Sequence, residues 1–341
     1  MDIGNFTLFR KKLDYKYSSM QQPIYEEKPV VKKKRFGIWL NILLFILTFI
    51  SVVMAGIQWL GRNPFEIGNF PLGLTYGILI ITFLSLHEFG HYFAAKYHKV
   101  QVTLPYYIPF PLIFNPFGTM GAVIRMKEHI KSRKALFDIG IAGPIAGFIA
   151  AAAMLIYGMT HLPPFEYIYS IHPEYQGTGV PITGFSFGPN LLYLGFAKIF
   201  TSSPDVFLPP MNEMYHYPFL CVGWFGLLVT ALNLLPVGQL DGGHIIYALF
   251  KSSHKFIARV FFGITLGMGL MGLLPYVGID FLADYGLLNW LVWALLMFFV
   301  IRIDHPPFVD PEPIGTGRKL LGVFALFMFV SSFTPVPFMG L

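Results

Sequence analysis

The sequence predicts an all-α, multi-pass membrane protein of about seven transmembrane helices, with a membrane-associated β-loop between the second and third. Three observations predict it. Hydrophobic residues make up 55% of the 341 residues and charged residues only 12%, about half the roughly 25% of a globular chain. A mean hydropathy of +0.60, with 36 Phe and 18 Tyr, leaves too little polar surface to wrap a water-soluble core. The cations, finally, lie between apolar runs rather than in one patch, so the net charge of +6 does not describe a nucleic-acid face. An ordinary soluble enzyme and a disordered regulator are excluded. Cys221 is the single cysteine, which excludes a disulfide scaffold and leaves stability to helix packing.

A spanning helix needs about 20 apolar residues. Phe36 to Leu60 runs without a charged side chain and forms the first span, and Leu72 to Ala95 forms the second. Ile139 to Met159, rich in Gly and Ala, is the third. Tyr217 to Leu235 is the fourth and leads into a shorter apolar piece, Ile245 to Phe250. Val260 to Leu274, Leu287 to Ile301 and Leu320 to Val336 complete the set. With an inside N-terminus, all of the 24 Lys and Arg except Arg62 and Lys198 fall on one side, as the positive-inside rule requires. The first span is too long, and its basic run too far from the start, for a cleaved signal peptide.

These spans divide the chain into a basic cytoplasmic tail (1–35), a first anchor with a short outer loop (36–71), a core (72–250) and C-terminal helices (251–341). Within the core, 101–128 is the β-loop and 161–216 an outer loop. The β-loop holds Pro105, Pro109, Pro111 and Pro116, then Gly118, Gly121 and the alternating run Ala122 to Lys127, which reads as a strand. Non-helical backbone so apolar must be buried in protein or line a wet cavity. In the outer loop, Asn190 to Phe200 has the character of an amphipathic helix lying on the membrane.

Of the 18 acidic residues, two sit deep inside apolar sequence, Glu88 and Asp241. An acid there is a functional-site hypothesis by default. Glu88 lies in His87-Glu88-Phe89-Gly90-His91. On a helix the two histidines, four apart, share one face, and their nitrogens can share one Zn²⁺. Glu88, rotated off that face, reaches water beside the ion as a general base. The alternative, a polar pair sealing a helix contact, must explain why two imidazoles and a carboxylate accept desolvation. Zinc then lacks a third protein ligand, and Asp241 is the deep candidate. Counted from Lys99 and Lys251, Glu88 and Asp241 both lie about 15–16 Å from the basic boundary. Asp241 also suits an N-cap for a helix starting near Gly243, and the two roles are compatible.

His87-Glu88-Phe89-Gly90-His91 and Asn233…Pro236…Asp241-Gly242, in this order, resemble the site-2 protease family of intramembrane zinc metalloproteases. Asn115-Pro116-Phe117-Gly118-Thr119-Met120-Gly121 looks like that family's β-loop. Gly143-Pro144-Ile145-Ala146-Gly147 is similar to its small-residue third core helix. The resemblance covers roughly residues 72–250, and His305-Pro306-Pro307 before a final span looks like the subgroup that includes plastid members. It implies that His87, His91 and Asp241 bind zinc, that Glu88 is the catalytic base, and that Asn233 sits near the substrate carbonyl. There an amide can donate to a developing oxyanion; it would equally well satisfy the backbone broken at Pro236. Gly118 and Gly121 fit a sharp turn whose edge pairs with an unwound substrate. Gly143 and Gly147 read as packing residues, Cys221 as inert core, and His244 as no part of the metal site.

The expected function is hydrolysis of a peptide bond within or beside a transmembrane segment of a protein substrate. The implied partners are that segment and membrane lipid, without nucleic acid, and the cell membrane is the expected location. Two other classes share some features. A prenyl-protein-type zinc protease would need a deep downstream glutamate, and a transporter with a mid-membrane acid/histidine site would favour an inverted repeat. The sequence offers neither.

Overall fold

Helices form along the apolar runs, where nothing in the pattern alternates. A computed structural model describes residues 37–112, 117–128, 130, 132–181, 183–203, 206–279, 288–305 and 312–340. The basic tail 1–35, Asn115, Pro116, Pro306 and Pro307 lie outside the described residues. The architecture is mostly helical. Helix α1 (Gly37–Trp59) and helix α2 (Phe70–Tyr97) match the first two apolar runs. Pro71 falls in the first turn of α2, where a missing N–H leaves no helical bond unmade.

After α2 the chain forms a hairpin. Strand β1 (Tyr106–Pro109) pairs antiparallel with β2 (Thr119–Val123), setting Tyr106 opposite Val123 and Pro109 opposite Thr119. The strand therefore begins earlier than the alternating run 122–127. That run does pair, but discontinuously: Thr103 N–H bonds the Arg125 carbonyl and Lys127 N–H the Gln101 carbonyl. The Thr103 hydroxyl takes the Arg125 N–H, which interrupts the ladder. The hairpin's backbone is fastened to α1. The Asn41 amide donates to the Leu104 and Pro105 carbonyls at 3.1 and 2.7 Å, and the Ser51 hydroxyl to the Phe110 carbonyl at 3.0 Å. An apolar non-helical segment thus has its polar groups answered by protein.

Helix α3 (Arg133–Thr160) starts at Ser132, whose side chain accepts from the Ala135 N–H, an ordinary N-cap. It lies at the centre and packs against α2, and against α7 (Pro218–Asn233) and α8 (Asp241–Phe250). Between α3 and α7 come α4 (Glu166–Ile171), α5 (Tyr175–Thr178), β3 (Ser186–Phe187) and α6 (Leu191–Phe200). The last is the helix expected at 190–200, opened by the Asn190 side chain accepting from Tyr193 N–H. Helices α9 (His254–Met271) and α10 (Leu288–Leu296) pack on each other, and α10 continues as a π-turn over Met297–Ile301. Helix α11 (Thr316–Ser332) returns to α7, and β4 (Phe338–Met339) pairs with β3. Arg318 clamps α11 to α3 through two hydrogen bonds to Asp138, at 2.8 and 2.6 Å.

By length and composition α1, α2 and α3 are each able to cross a membrane, and α6, α7 and the Leu288–Ile301 stretch are shorter apolar helices. Large apolar side chains such as Trp39, Leu43, Val323 and Leu326 face outward, as an integral membrane protein requires. Cys221 is a free, buried thiol within the core cluster.

Candidate metal centre

Helix α2 carries His87, Glu88 and His91, all three buried. Spaced four apart, the two imidazoles stand on one face, with Nε2 atoms 3.1 Å from each other. The face turned toward them belongs to α3. There Gly143 and Gly147 bring bare backbone to the rings: a Cβ on Gly143 would land on the His91 imidazole, and one on Gly147 would sit 2.9 Å from His87 Nδ1. Gly90 of α2 answers from the other side, where a Cβ would sit 2.6 Å from the Ala142 carbonyl oxygen. The two helices approach this closely because neither has a side chain at the contact. The approach delivers the Ile139 carbonyl to His91 Nδ1 at 2.7 Å. Nδ1 then holds the proton and Nε2 keeps its lone pair, the arrangement metal-binding histidines use.

The third group arrives from a break in the chain. Helix α7 ends at Asn233, and the turn through Pro236 is braced by Gly238 N–H bonding the Ile303 carbonyl at 3.0 Å. Gly238 adopts φ +53°, and a Cβ there would meet the Arg302 carbonyl; only glycine fits both conditions. Asp241 is the first residue of α8, which begins two residues earlier than expected. The N-cap position is Leu240, and no side chain caps this helix. The cap role considered for Asp241 is therefore not the one its carboxylate takes up. Its Oδ2 lies 3.4 Å from His87 Nε2 and 3.3 Å from His91 Nε2.

Those three separations fit one ion. Ligands each about 2.0–2.1 Å from a tetrahedral zinc stand about 3.3 Å apart, and the group His87, His91, Asp241 could hold a metal. Two nitrogens and a carboxylate with a fourth position open is a donor set of catalytic type. Glu88 is buried beside the group, and the β-loop backbone at Ile124 lies close enough to act on its carboxylate. The Asn233 amide nitrogen lies 3.3 Å from His87 Nε2, so this residue stands at the edge of the group. Gly118, just before β2, has φ +75°, and Gly121, expected in the turn, lies within β2 at φ +98°; Gly118 also presses on Ser51, where a Cβ would sit 2.5 Å from the carbonyl oxygen.

Sequence reasoning read Gly143 and Gly147 as helix-packing residues without seeing that what they pack against is the histidine pair. It also missed the Ile139 carbonyl, because a backbone atom leaves no signature in sequence. His244 stays outside the group, with Nδ1 2.8 Å from His305 Nε2.

Comparison with known proteins gives the family of the chain. The family model of Peptidase family M50 matches residues 75–275, a stretch that includes all three groups, Glu88 and Asn233. The chain is 29% identical over 329 residues to a protein of Arabidopsis thaliana named probable zinc metalloprotease EGY1, chloroplastic, covering 86% of this chain and 52% of the relative. The rice protein of the same name is 28% identical over 333 residues, 87% of this chain and 50% of its own. Arabidopsis EGY2, also named a probable chloroplastic zinc metalloprotease, is 26% identical over 267 residues, 78% of this chain and 42% of its own. The chain thus spans about half the length of the curated relatives it matches. With more than half of its residues inside the family's own pattern, the chain belongs to peptidase family M50, the site-2 protease family.

Proposed function

We propose that this protein is an intramembrane zinc endopeptidase that hydrolyses a peptide bond within or beside a transmembrane segment of a membrane-protein substrate. The observation that carries the reading is the convergence of His87, His91 and Asp241, from two distant segments, within 3.1–3.4 Å beside a buried Glu88. Zn²⁺ held by these three would polarise a peptide carbonyl and acidify water. Glu88 takes the proton of the attacking water and passes it to the leaving amine. Asn233 donates to the oxygen on which charge develops. The β-loop, fastened to α1 and reaching Glu88 at Ile124, offers strand edge to a substrate that has unwound, since a helical substrate shields its own carbonyls. Seven spans, an N-terminus on the basic inner side, and a catalytic core at 72–250 between an anchor and C-terminal helices complete the proposal.

A prenyl-protein-type arrangement is disfavoured by Glu312, the one glutamate after Asp241, whose carboxylate pairs with Lys134 at 2.8 Å instead of joining the histidines. The transporter reading has no observation of its own.

The test uses the purified full chain with reporter transmembrane segments and measures bound zinc beside cleavage. Glu88→Gln should keep the wild-type metal content and lower cleavage by about 10²–10⁴-fold, the contribution of a positioned base. His87→Ala and His91→Ala should each release one equivalent and abolish cleavage. Wild-type cleavage by Glu88→Gln, or full metal content in both histidine variants, overturns the roles assigned.

A further inference from the structure

The segment between α3 and α7 contains a second convergence of ligand atoms, unrelated to the first in sequence. His172, just after α4, points Nε2 at His216 Nε2, 2.9 Å away and 44 residues on. Glu213 Oε2 lies 3.4 Å from His216 Nε2 and 3.9 Å from His172 Nε2. Two of these side chains are almost wholly enclosed, Glu213 and His216 at 2% exposure each, while His172 is at 26%. The group stands at the opposite end of α7 from Asn233. A helix of 16 residues puts about 24 Å between those ends, so this is not an extension of the metal centre described above.

The partners of each group show what is missing. Glu213 Oε1 receives the Tyr175 hydroxyl at 2.9 Å and the Asn212 amide at 3.3 Å. Its other oxygen, Oε2, is buried and makes no hydrogen bond, although a buried carboxylate oxygen without a partner is costly. His172 Nδ1 is held by the Glu174 carboxylate at 2.9 Å. A carboxylate accepts, so Nδ1 carries the proton and Nε2 presents a lone pair. Two imidazole nitrogens and a carboxylate oxygen therefore face one another and need a positive species among them. One proton shared by the two nitrogens would put a charge 3.4 Å from Glu213 Oε2 but still leave that oxygen without a hydrogen bond. A tetrahedral ion would answer all three, since the separations of 2.9, 3.4 and 3.9 Å bracket the roughly 3.3 Å between ligands of one zinc. The Glu174–His172 contact is then the outer carboxylate that orients a ligating imidazole.

The geometry points to a second metal site, His172, Glu213 and His216, that takes a divalent transition metal of zinc type and staples residues 166–178 to the start of α7. Imidazole with carboxylate suits Zn²⁺ rather than Ca²⁺ or Mg²⁺, which prefer all-oxygen sets. Its fourth position is left to water. The staple joins residues 44 apart in a proline-rich segment that lacks long helices, where cross-linking restricts the chain most usefully.

The experiment removes the first centre so that only the second is counted. Full-length His87→Ala/His91→Ala chain, loaded with Zn²⁺ and desalted, should retain about one equivalent by elemental mass spectrometry. Adding His172→Ala and Glu213→Gln should bring it close to zero. Co²⁺ loaded into the same background should give the intense d–d absorption of four-coordinate cobalt, and chelator should lower its melting temperature. His172 is part-exposed, so His172→Ala alone tests the site where the double change disturbs folding. Retention of an equivalent after His172 and Glu213 are replaced overturns the proposal. So does an intact background chain that binds neither Zn²⁺ nor Co²⁺, which would leave a proton-sharing cluster only. Neither outcome touches the His87–His91–Asp241 centre, whose own failure would show as equal metal content in the wild-type and background chains.

Discussion

An aspartate at the first position of a helix has two uses: capping the backbone, or sending its charge elsewhere. At Asp241 the carboxylate lies on two imidazoles and α8 begins without a side-chain cap. Asp241→Asn separates the uses, because Asn caps about as well as Asp but brings no negative charge to a zinc ion. The expected result is wild-type expression and helix content by circular dichroism, the loss of most of one metal equivalent, and cleavage slowed by orders of magnitude. Wild-type metal and cleavage would place the third ligand elsewhere. Glu88 differs in kind. It follows His87 directly in the chain, yet its carboxylate lies near the β-loop backbone at Ile124 and is not among the three groups that could hold a metal.

Helices set the distances that residues then use. The contact of α2 with α3 is made through Gly90, Gly143 and Gly147, and any Cβ there enters occupied space. Gly143→Ala should therefore displace the His91 ring, lower metal occupancy, and destabilise by about 1–3 kcal/mol, the usual cost of an added methyl in a full site. Gly195→Ala in α6 is the matched control. It has nothing within 4 Å of the added carbon, so it should leave metal content unchanged and raise stability by a few tenths to about 1 kcal/mol through helix propensity. Thermal unfolding in detergent, with metal analysis of the same samples, checks both. Equal metal content in the two variants would mean that α3 does not hold the histidines in place.

At the scale of the whole molecule the proposal is one of sidedness. In the proposed seven-span arrangement all cations but Arg62 and Lys198 fall on one side, so cysteine accessibility should place positions in 1–35, 96–134, 250–259 and 302–319 on the inner face. Positions in 161–216 should be reached only from the other. Labelling of the 161–216 segment from the inner side would remove the seven-span arrangement and, with it, the common depth of Glu88 and Asp241. The second metal site proposed at His172, Glu213 and His216 would then face the inner compartment.

What could be read from residues alone is what depends on short range. Apolar runs about 20 residues long mark helices whatever surrounds them, since unpaired backbone in lipid is prohibitive, and α1 and α2 follow their runs closely. His87 and His91 share a face because a helix repeats every 3.6 residues. Even the pairing with Asp241 could be argued from depth, because distance to a charged boundary is counted along the chain. The rest depends on contacts between segments that no spacing encodes. Only the packing of α3 shows that Gly143 and Gly147 touch imidazoles and that the Ile139 carbonyl orients His91. The strand expected over 122–127 is found at Thr119–Val123, and beyond it pairing is broken where the Thr103 hydroxyl takes the Arg125 N–H. His172, Glu213 and His216 carry no motif at all, and a loop's closure, not its composition, brings them within ligand distance of one another.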